Sequence, residues 1–333
     1  MQVLVAGGAG YIGAHMVRAL LAAGHQVSVL DNLATGHRAA LPAGVALAQV
    51  DLLDSAAVAA AVAAAAPAAV MHFSARSLVG ESVVEPELYY ANNVTGTLHL
   101  LAAMRAAGCG RFIFSSTAAL FGNPLRTPID EDHPIAPINP YGASKQMVER
   151  ILADFDVAYG LRYCALRYFN AAGAAPGGEI GEDHRPESHL IPLVLKTALG
   201  QRPAITLFGT DYPTPDGTCV RDYIHVDDLC TAHLLALDYL AEGGASRCYN
   251  LGNGAGFSVR EVIDTARAVT GREIPVVEGE RRPGDPAVLV ADHQRIIAEL
   301  GWQPRYPALA TIIDHAWQWH QSHPAGYPEG ERK

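Results

Sequence analysis

Near the amino terminus, Met1-Gln2-Val3-Leu4-Val5-Ala6 runs straight into Gly7-Gly8-Ala9-Gly10-Tyr11-Ile12-Gly13 and then into an apolar segment of helical composition. A strand, clustered glycines and a helix in that order restrict the fold more than any other feature of the chain. The glycines let the backbone turn tightly, let a pyrophosphate approach it and let the helix pack close to the strand, while the helix N-terminus offers N–H donors to phosphate. The segment satisfies both Gly8-x-Gly10-x-x-Gly13 and Gly7-x-x-Gly10-x-x-Gly13, and a second β-leaning run, Gln26–Leu30, leads into Asp31. An acidic side chain at that point suits the adenosine ribose hydroxyls and repels a 2′-phosphate. The expected cofactor is NAD rather than NADP, with Arg38 nearby as the one feature pointing the other way.

The alternation continues along the first half. Val45–Val50, Ala69–Phe73, Arg111–Ser116 and Tyr163–Phe169 are short β-leaning runs separated by helix-like segments. That is the pattern of βαβ units in an α/β, Rossmann-type doubly wound parallel sheet. Ser55 is placed to cap an alanine-rich helix closed by Pro67, and Pro86 opens a helical segment ending near Gly108. After Phe169 the rhythm breaks into loops rich in glycine, proline and acidic residues. The expected organisation is a NAD-binding domain over residues 1–169 and a smaller, loop-rich α/β domain over 170–333, with parts of 225–256 returning to the first.

Of the 333 residues half are hydrophobic and 17% charged, which excludes a disordered or disulfide-scaffold chain. Thirty-four acidic against 24 basic residues leave a net charge of −10. No nucleic-acid or membrane partner is expected of such a chain, and any phosphate ligand must be held by a few placed donors. Five cysteines without a C-x-x-C pair, no leader-like start and no apolar run of the ~18 residues that span a bilayer make cytoplasmic localisation the expectation.

Only Lys145, Lys196 and Lys333 among the basic residues are lysines. Lys196 and Lys333 read as surface charges. Lys145 closes Tyr141-Gly142-Ala143-Ser144-Lys145, which follows Pro137 and Pro140 and opens a helical segment to about Tyr159. A spacing of four sets phenol and ammonium on one helix face. The ammonium and a nicotinamide cation both favour the phenolate, drawing the tyrosine down from ~10 toward a useful range. A compact ammonium also reaches a ribose. Ser115-Ser116-Thr117, ending the fifth strand, offers a hydroxyl partner.

Together with Tyr89-Tyr90-Ala91-Asn92-Asn93-Val94, Arg167-Tyr168-Phe169-Asn170, Val220-Arg221-Asp222-Tyr223-Ile224-His225-Val226 and Arg281-Arg282-Pro283-Gly284-Asp285, these features resemble the extended short-chain dehydrogenase/reductase family. The likeness runs over essentially the whole chain, and within the family it is to members that epimerise a UDP-hexose at C4. The resemblance implies that Tyr141, as phenolate, takes the proton of the sugar 4-hydroxyl while hydride passes from C4 to NAD. The 4-keto sugar then swings about its diphosphate, and hydride returns to the other face. Lys145 would hold the nicotinamide ribose and Thr117 the reacting oxygen. Further cofactor contacts implied are Gly7, Gly10, Tyr11, Ile12, Gly13, Asp31 and Asn32, with Asp51, Leu52, Phe73, Asn92 and Tyr168. On the substrate side the resemblance implies Asn170, His189, Leu190 and Tyr223 beside Thr117 and Tyr141, with Arg221, Arg282 and Asp285 on UDP and Phe208 near uracil. A homodimer through the Tyr141 helix and the Pro86–Gly108 helix is implied as well.

Three positions depart from that pattern. Ala6 replaces a frequent threonine, Ser77 stands where many such enzymes have a substrate-reaching lysine, and Leu289 occupies the position that gates N-acetylated sugars. Epimerisation of UDP-N-acetylglucosamine, UDP-xylose, UDP-arabinose or UDP-glucuronate therefore stays open. A 4,6-dehydratase would carry Asp-Glu directly after Thr117, where this chain has Ala118-Ala119, so elimination lacks its acid and base. A non-catalytic NAD sensor would have a degraded Tyr-x-x-x-Lys, which is intact. Glu179, Glu182, Asp183 and His184, and the pair His320 and His323, lie in polar or terminal sequence without fixed ligand geometry, so no metal is expected.

Overall fold

The first part of the chain forms β1 (Gln2–Ala6), α1 (Tyr11–Ala22), β2 (Gln26–Asp31), β3 (Ala46–Gln49), α2 (Ser55–Ala65), β4 (Ala69–His72), α3 (Val79–Val84), α4 (Pro86–Tyr89), α5 (Gly96–Ala106), β5 (Arg111–Thr117), α6 (Pro140–Tyr159) and β6 (Arg162–Tyr168). There follow β7 (Asn170–Ala172), α7 (Leu190–Ala198), β8 (Ile205–Phe208), β9 (Val220–Arg221), β10 (Tyr223–His225), α8 (Val226–Ala241), β11 (Arg247–Leu251), β12 (Phe257–Ser258), α9 (Val259–Thr270), β13 (Val276–Gly279), β14 (Val288–Leu289), α10 (Gln294–Leu300) and α11 (Leu309–Ser322). The computed structural model describes residues 1–282 and 285–328. Pro283 and Gly284 of the arginine motif, and Lys333, lie outside the described residues.

Seven parallel strands make one sheet in the order β11-β6-β5-β4-β1-β2-β3. This is the doubly wound Rossmann-type sheet expected. Because side chains alternate along a strand, β1 serves two cores at once. Val3 and Val5 pack with Met16 and Leu20 of α1 and Leu229 and Leu237 of α8. Leu4 and Ala6 pack with Val58 and Val62 of α2, Leu100 and Met104 of α5, and Val148 and Leu152 of α6. The winding reverses between β1 and β4, which opens a crevice at the carboxyl ends of the strands.

Beyond β6 the chain builds small sheets, β10-β7, β12-β9-β14 and β13-β8, over a separate core that includes Ile191, Leu195, Val262, Ile312 and Trp317. It also comes back to the large sheet, where β11 pairs with β6 and α8 packs on α1.

Two local details differ from the sequence reading. Asp54, not Ser55, caps α2, its carboxylate accepting from Ala57 N–H at 3.0 Å. The Pro86–Gly108 helix is not continuous, since Tyr90–Thr95 form a π turn between α4 and α5. Such turns reposition side chains at working sites, and this one carries Asn92 and Asn93.

His72, His225 and His233 are buried, and burial holds their pKa values down, to about 3 for His72 and about 4 for the other two. Unfolded imidazoles titrate near ~6.5. In between, the folded chain binds fewer protons than the unfolded one, so stability rises with pH there and is lost as pH falls. Denaturant unfolding at pH 6 and pH 5 should differ by on the order of 1 kcal/mol for each of these rings. Equal midpoints at the two pH values would mean that the three rings titrate alike in both states.

Candidate active site

The glycine turn is built for a close ligand. Gly7 has φ +80°, and a Cβ there would lie 2.5 Å from the Ser74 amide nitrogen. One on Gly13 would lie 2.0 Å from the Gly7 carbonyl oxygen, whereas Gly10 would meet that oxygen only at 3.4 Å. α1 starts at Tyr11 without a side-chain cap, so its first N–H groups are available to an anion. From the end of β2, Asp31 braces the turn, accepting from Ala9 N–H at 2.9 Å and Leu33 N–H at 2.8 Å. Burial raises its pKa and these amides oppose the rise.

Beside it, Asn32 Nδ2 donates to Asp51 Oδ2 at 2.9 Å, joining the ends of β2 and β3. Leu52 and Ile12 are packing residues of the two cores. The Tyr11 hydroxyl donates to the Gly173 carbonyl at 2.7 Å, and Phe73 follows β4 with its ring 5.0 Å from that of His233. A cradle that a Cβ would fill, an uncapped helix start and a carboxylate at the second strand's end fit a dinucleotide.

Tyr141 stands in the first turn of α6, which Asn139 caps by accepting from Gly142 N–H at 2.9 Å. Lys145, only 2% exposed, lies one turn on and donates from Nζ to the Ser115 carbonyl at 2.8 Å. Burial pulls Lys145 down to about 7, against the pull of Glu149. At Tyr141 burial pushes the pKa up and the Thr117 hydroxyl works against it. Within the chain itself desolvation thus outweighs the lowering expected from Lys145, and the phenol is held protonated.

The three strand-end hydroxyls divide cleanly. Ser115 bonds the Tyr168 hydroxyl, Ser116 donates to Glu149 Oε1 at 2.6 Å, and Thr117 Oγ1 accepts from Ala119 N–H at 3.1 Å beside Tyr141.

Two supports of α6 escaped the sequence reading. Asn93, 2% exposed, donates to Ser144 Oγ and the Arg76 carbonyl at 3.0 Å each and accepts from Arg76 N–H and Asn92 Nδ2 at 2.9 Å each. It ties the loop carrying the exposed Ser77 to the turn before Lys145. Glu149 takes a bidentate grip from Arg167 of β6, at 3.0 and 2.6 Å, with both side chains buried. The available signal was spacing, since Glu149 falls four residues after Lys145 and eight after Tyr141, on the face that must be buried.

Across the crevice, β9 sets Arg221 in register with Phe257 on one side and Leu289 on the other. Arg221 donates to Asp285 Oδ1 at 2.6 Å, and the Arg282 guanidinium lies 4.1 Å over the Phe208 ring. Asn170 pairs in register with Tyr223. Between Arg221 and Tyr223, the wholly buried Asp222 accepts from Gly254 and Ala291 N–H at 3.1 and 3.0 Å, fastening this segment down. Leu289 packs with Phe169 on the cluster of Ala118, Leu120 and Phe121 that directly follows Thr117.

His189 precedes α7 with its Nδ1 2.6 Å from Glu182 Oε1, and Leu190 opens that helix on the small-domain core. Of the acidic and histidine residues weighed as a metal set, Asp183 instead pairs with Arg185 and accepts from Tyr327 N–H, and His323 stacks on Trp319.

The profile of the NAD dependent epimerase/dehydratase family matches residues 3–252. The chain is 52% identical over 327 residues to the UDP-glucose 4-epimerase of Halalkalibacterium halodurans, covering 98% of each. Among solved structures, UDP-glucose 4-epimerase from Brucella ovis in complex with NAD is 48% identical with a TM-score of 0.92, over 95% of this chain and 97% of that one. UDP-glucose 4-epimerase from Bifidobacterium longum in complex with NAD+ and UDP is 38% identical with a TM-score of 0.93, over 98% and 100%.

Proposed function

The chain belongs to the NAD dependent epimerase/dehydratase family, and from that premise we propose the reaction its site performs. It is an NAD-dependent isomerase that interconverts UDP-galactose and UDP-glucose by inverting C4 through a 4-keto sugar. The observation that carries this reading is Tyr141 beside the Thr117 hydroxyl and one helical turn before Lys145, at the strand ends near the glycine cradle.

NAD, when bound, supplies a reversible hydride acceptor for C4. Thr117 and Tyr141 would hold the sugar 4-oxygen between them, Tyr141 taking its proton and later giving it back. One base serves both half-reactions, because the same proton is removed and returned. Lys145 would turn its ammonium to the nicotinamide ribose, and Gly7, Gly10, Tyr11, Ile12 and Gly13 would seat the pyrophosphate, with Asp31, Asn32, Asp51 and Leu52 toward adenosine and Phe73, Asn92 and Tyr168 toward nicotinamide. Arg221 and Arg282 would counter the UDP charge that an acidic chain otherwise repels, Arg221 exchanging part of its hold on Asp285. Asn170, His189, Leu190 and Tyr223 line the same side, Phe208 meets the uracil, and Leu289 limits the space beside the sugar.

Residues 1–169 act as the NAD-binding domain and 170–333 mainly as the nucleotide-sugar domain. A homodimer is supported by exposed Val83 and Val84 of α3, Leu98 of α5 and Met147 of α6, apolar side chains near the same two helices. Five unpaired cysteines support a reducing, cytoplasmic setting, and among the described residues no helix is long and apolar enough to cross a membrane.

Purified protein without added cofactor should carry bound NAD and interconvert UDP-galactose and UDP-glucose. The same assay on UDP-N-acetylglucosamine, UDP-xylose and UDP-glucuronate should give lower kcat/KM for each. Failure to convert either hexose would overturn the assignment, and a faster second sugar would reassign the substrate.

A further inference from the structure

Between β7 and α7 the chain runs Gly181-Glu182-Asp183-His184-Arg185-Pro186-Glu187-Ser188-His189, and its folding gathers four side chains that the epimerase chemistry leaves out or uses only at one edge. One ligand atom from each of Glu182, His184, Glu187 and His189 lies within 4.8 Å of all the others. Glu182 Oε1 is 2.6 Å from His189 Nδ1 and 3.1 Å from His184 Nδ1. Glu187 Oε1 stands 3.5 and 3.9 Å from the same two nitrogens.

These approaches lack hydrogen-bond alignment. Glu182 Oε1, His184 Nδ1 and Glu187 Oε2 are buried atoms without a hydrogen-bond partner, and the Glu182 residue is only 4% exposed. Buried polar atoms left unbonded are costly. Buried carboxylate and imidazole atoms gathered this closely are what a cation requires.

We infer that Glu182, His184, Glu187 and His189 form a divalent-cation site, and that its chemistry selects zinc. Two imidazoles and two carboxylates are a mixed N/O set suited to Zn²⁺, whose Zn–N and Zn–O bonds of about 2.0–2.2 Å place tetrahedral ligand atoms roughly 3.3 Å apart. The separations here fall on both sides of that figure. Two carboxylates also balance the charge of the ion. Outer contacts hold the ligands in place, as metal sites require. Glu187 Oε1 accepts from Ser188 and His189 N–H at 2.8 and 2.9 Å, and the Glu182 carbonyl accepts from Trp319 Nε1 at 3.2 Å.

Four protein ligands close the coordination sphere, which is the mark of a structural site. The ion would pin the 182–189 loop between the start of α7 and Trp319 of α11. Thr117, Tyr141 and Lys145 take no part, and only His189 is shared with the sugar-binding side of the proposed reaction.

The test is metal content and melting temperature of the NAD-loaded protein. Wild-type protein passed through a desalting column should hold one zinc per chain by mass spectrometry. Chelator treatment should lower its melting temperature, and equimolar Zn²⁺ should restore it. His184→Gln and Glu187→Gln should each weaken zinc binding on the order of 100-fold or more and abolish the zinc-dependent rise. Chelated wild-type protein whose melting temperature ignores zinc would overturn the site, leaving two imidazolium–carboxylate pairs in its place, and that result does not depend on either variant folding. Stoichiometric zinc retained by both variants would overturn it equally, by placing the metal elsewhere.

Discussion

Tyr141→Phe should lower turnover of UDP-galactose by roughly 10²–10⁴-fold, the range a positioned acid–base group contributes, while the affinity for UDP stays near that of the wild type. The substitution removes one oxygen. The ring keeps its place in the first turn of α6, and the Asn139 cap that fixes this turn is untouched. UDP itself is assigned to Arg221 and Arg282, across the crevice on other elements. A kcat effect with little change in UDP binding is therefore the signature of a group that acts only on the reacting oxygen. The wild-type phenol adds a second measurable consequence. Burial holds it protonated in the chain alone, and a nearby positive charge favours the phenolate. Its ultraviolet titration should move to lower pH when oxidised cofactor is bound, and Tyr141→Phe should remove that signal. Wild-type turnover in the variant would place the base elsewhere.

Much of this site was legible because its parts are local. The glycine turn, the Asp31 carboxylate one strand later and the Tyr141–Lys145 spacing each lie within a single βα unit, where chain geometry alone brings the groups together. The alternation of apolar runs carried the sheet for the same reason, since a strand buried on both faces and a helix that covers it write their periods directly into the sequence. What could not be read depends on pairing across elements. Residue chemistry left Ser115, Ser116 and Thr117 equivalent and only the family resemblance singled out Thr117; in the fold Tyr168 and Glu149 occupy the first two. The π turn at Tyr90–Thr95 left no proline or glycine to announce it. The His–Glu cluster before α7 read as loose polar loop, because its ligand atoms converge only once the loop has folded. The upward push of burial on Tyr141 in the chain alone was not legible either, since burial is a property of the packed molecule.

Glu149 is where that cross-element pairing carries the largest stability effect. Its carboxylate and the Arg167 guanidinium are 8% and 6% exposed, bonded at 2.6 and 3.0 Å, with the Ser116 hydroxyl on the same oxygen. Glu149→Gln leaves the arginine charged and buried without a counter-charge, and breaking such a pair from one side costs roughly 3–5 kcal/mol. Urea unfolding should show that loss in the midpoint. Removing both charges together, as in Glu149→Leu with Arg167→Met, should recover most of it, because apolar replacements of similar volume often match a buried pair in stability. A single variant as stable as the wild type would mean the pair is not held apart from solvent. Activity should follow a different course from stability. Glu149 raises the pKa of Lys145 against burial, so its loss drives the lysine further down and empties the ammonium at lower pH. The alkaline limb of the kcat/KM profile should then move to lower pH in the single and the double variant alike. Stability recovered without recovery of that limb separates the two tasks of Glu149, which are to hold α6 against β6 and to keep Lys145 charged.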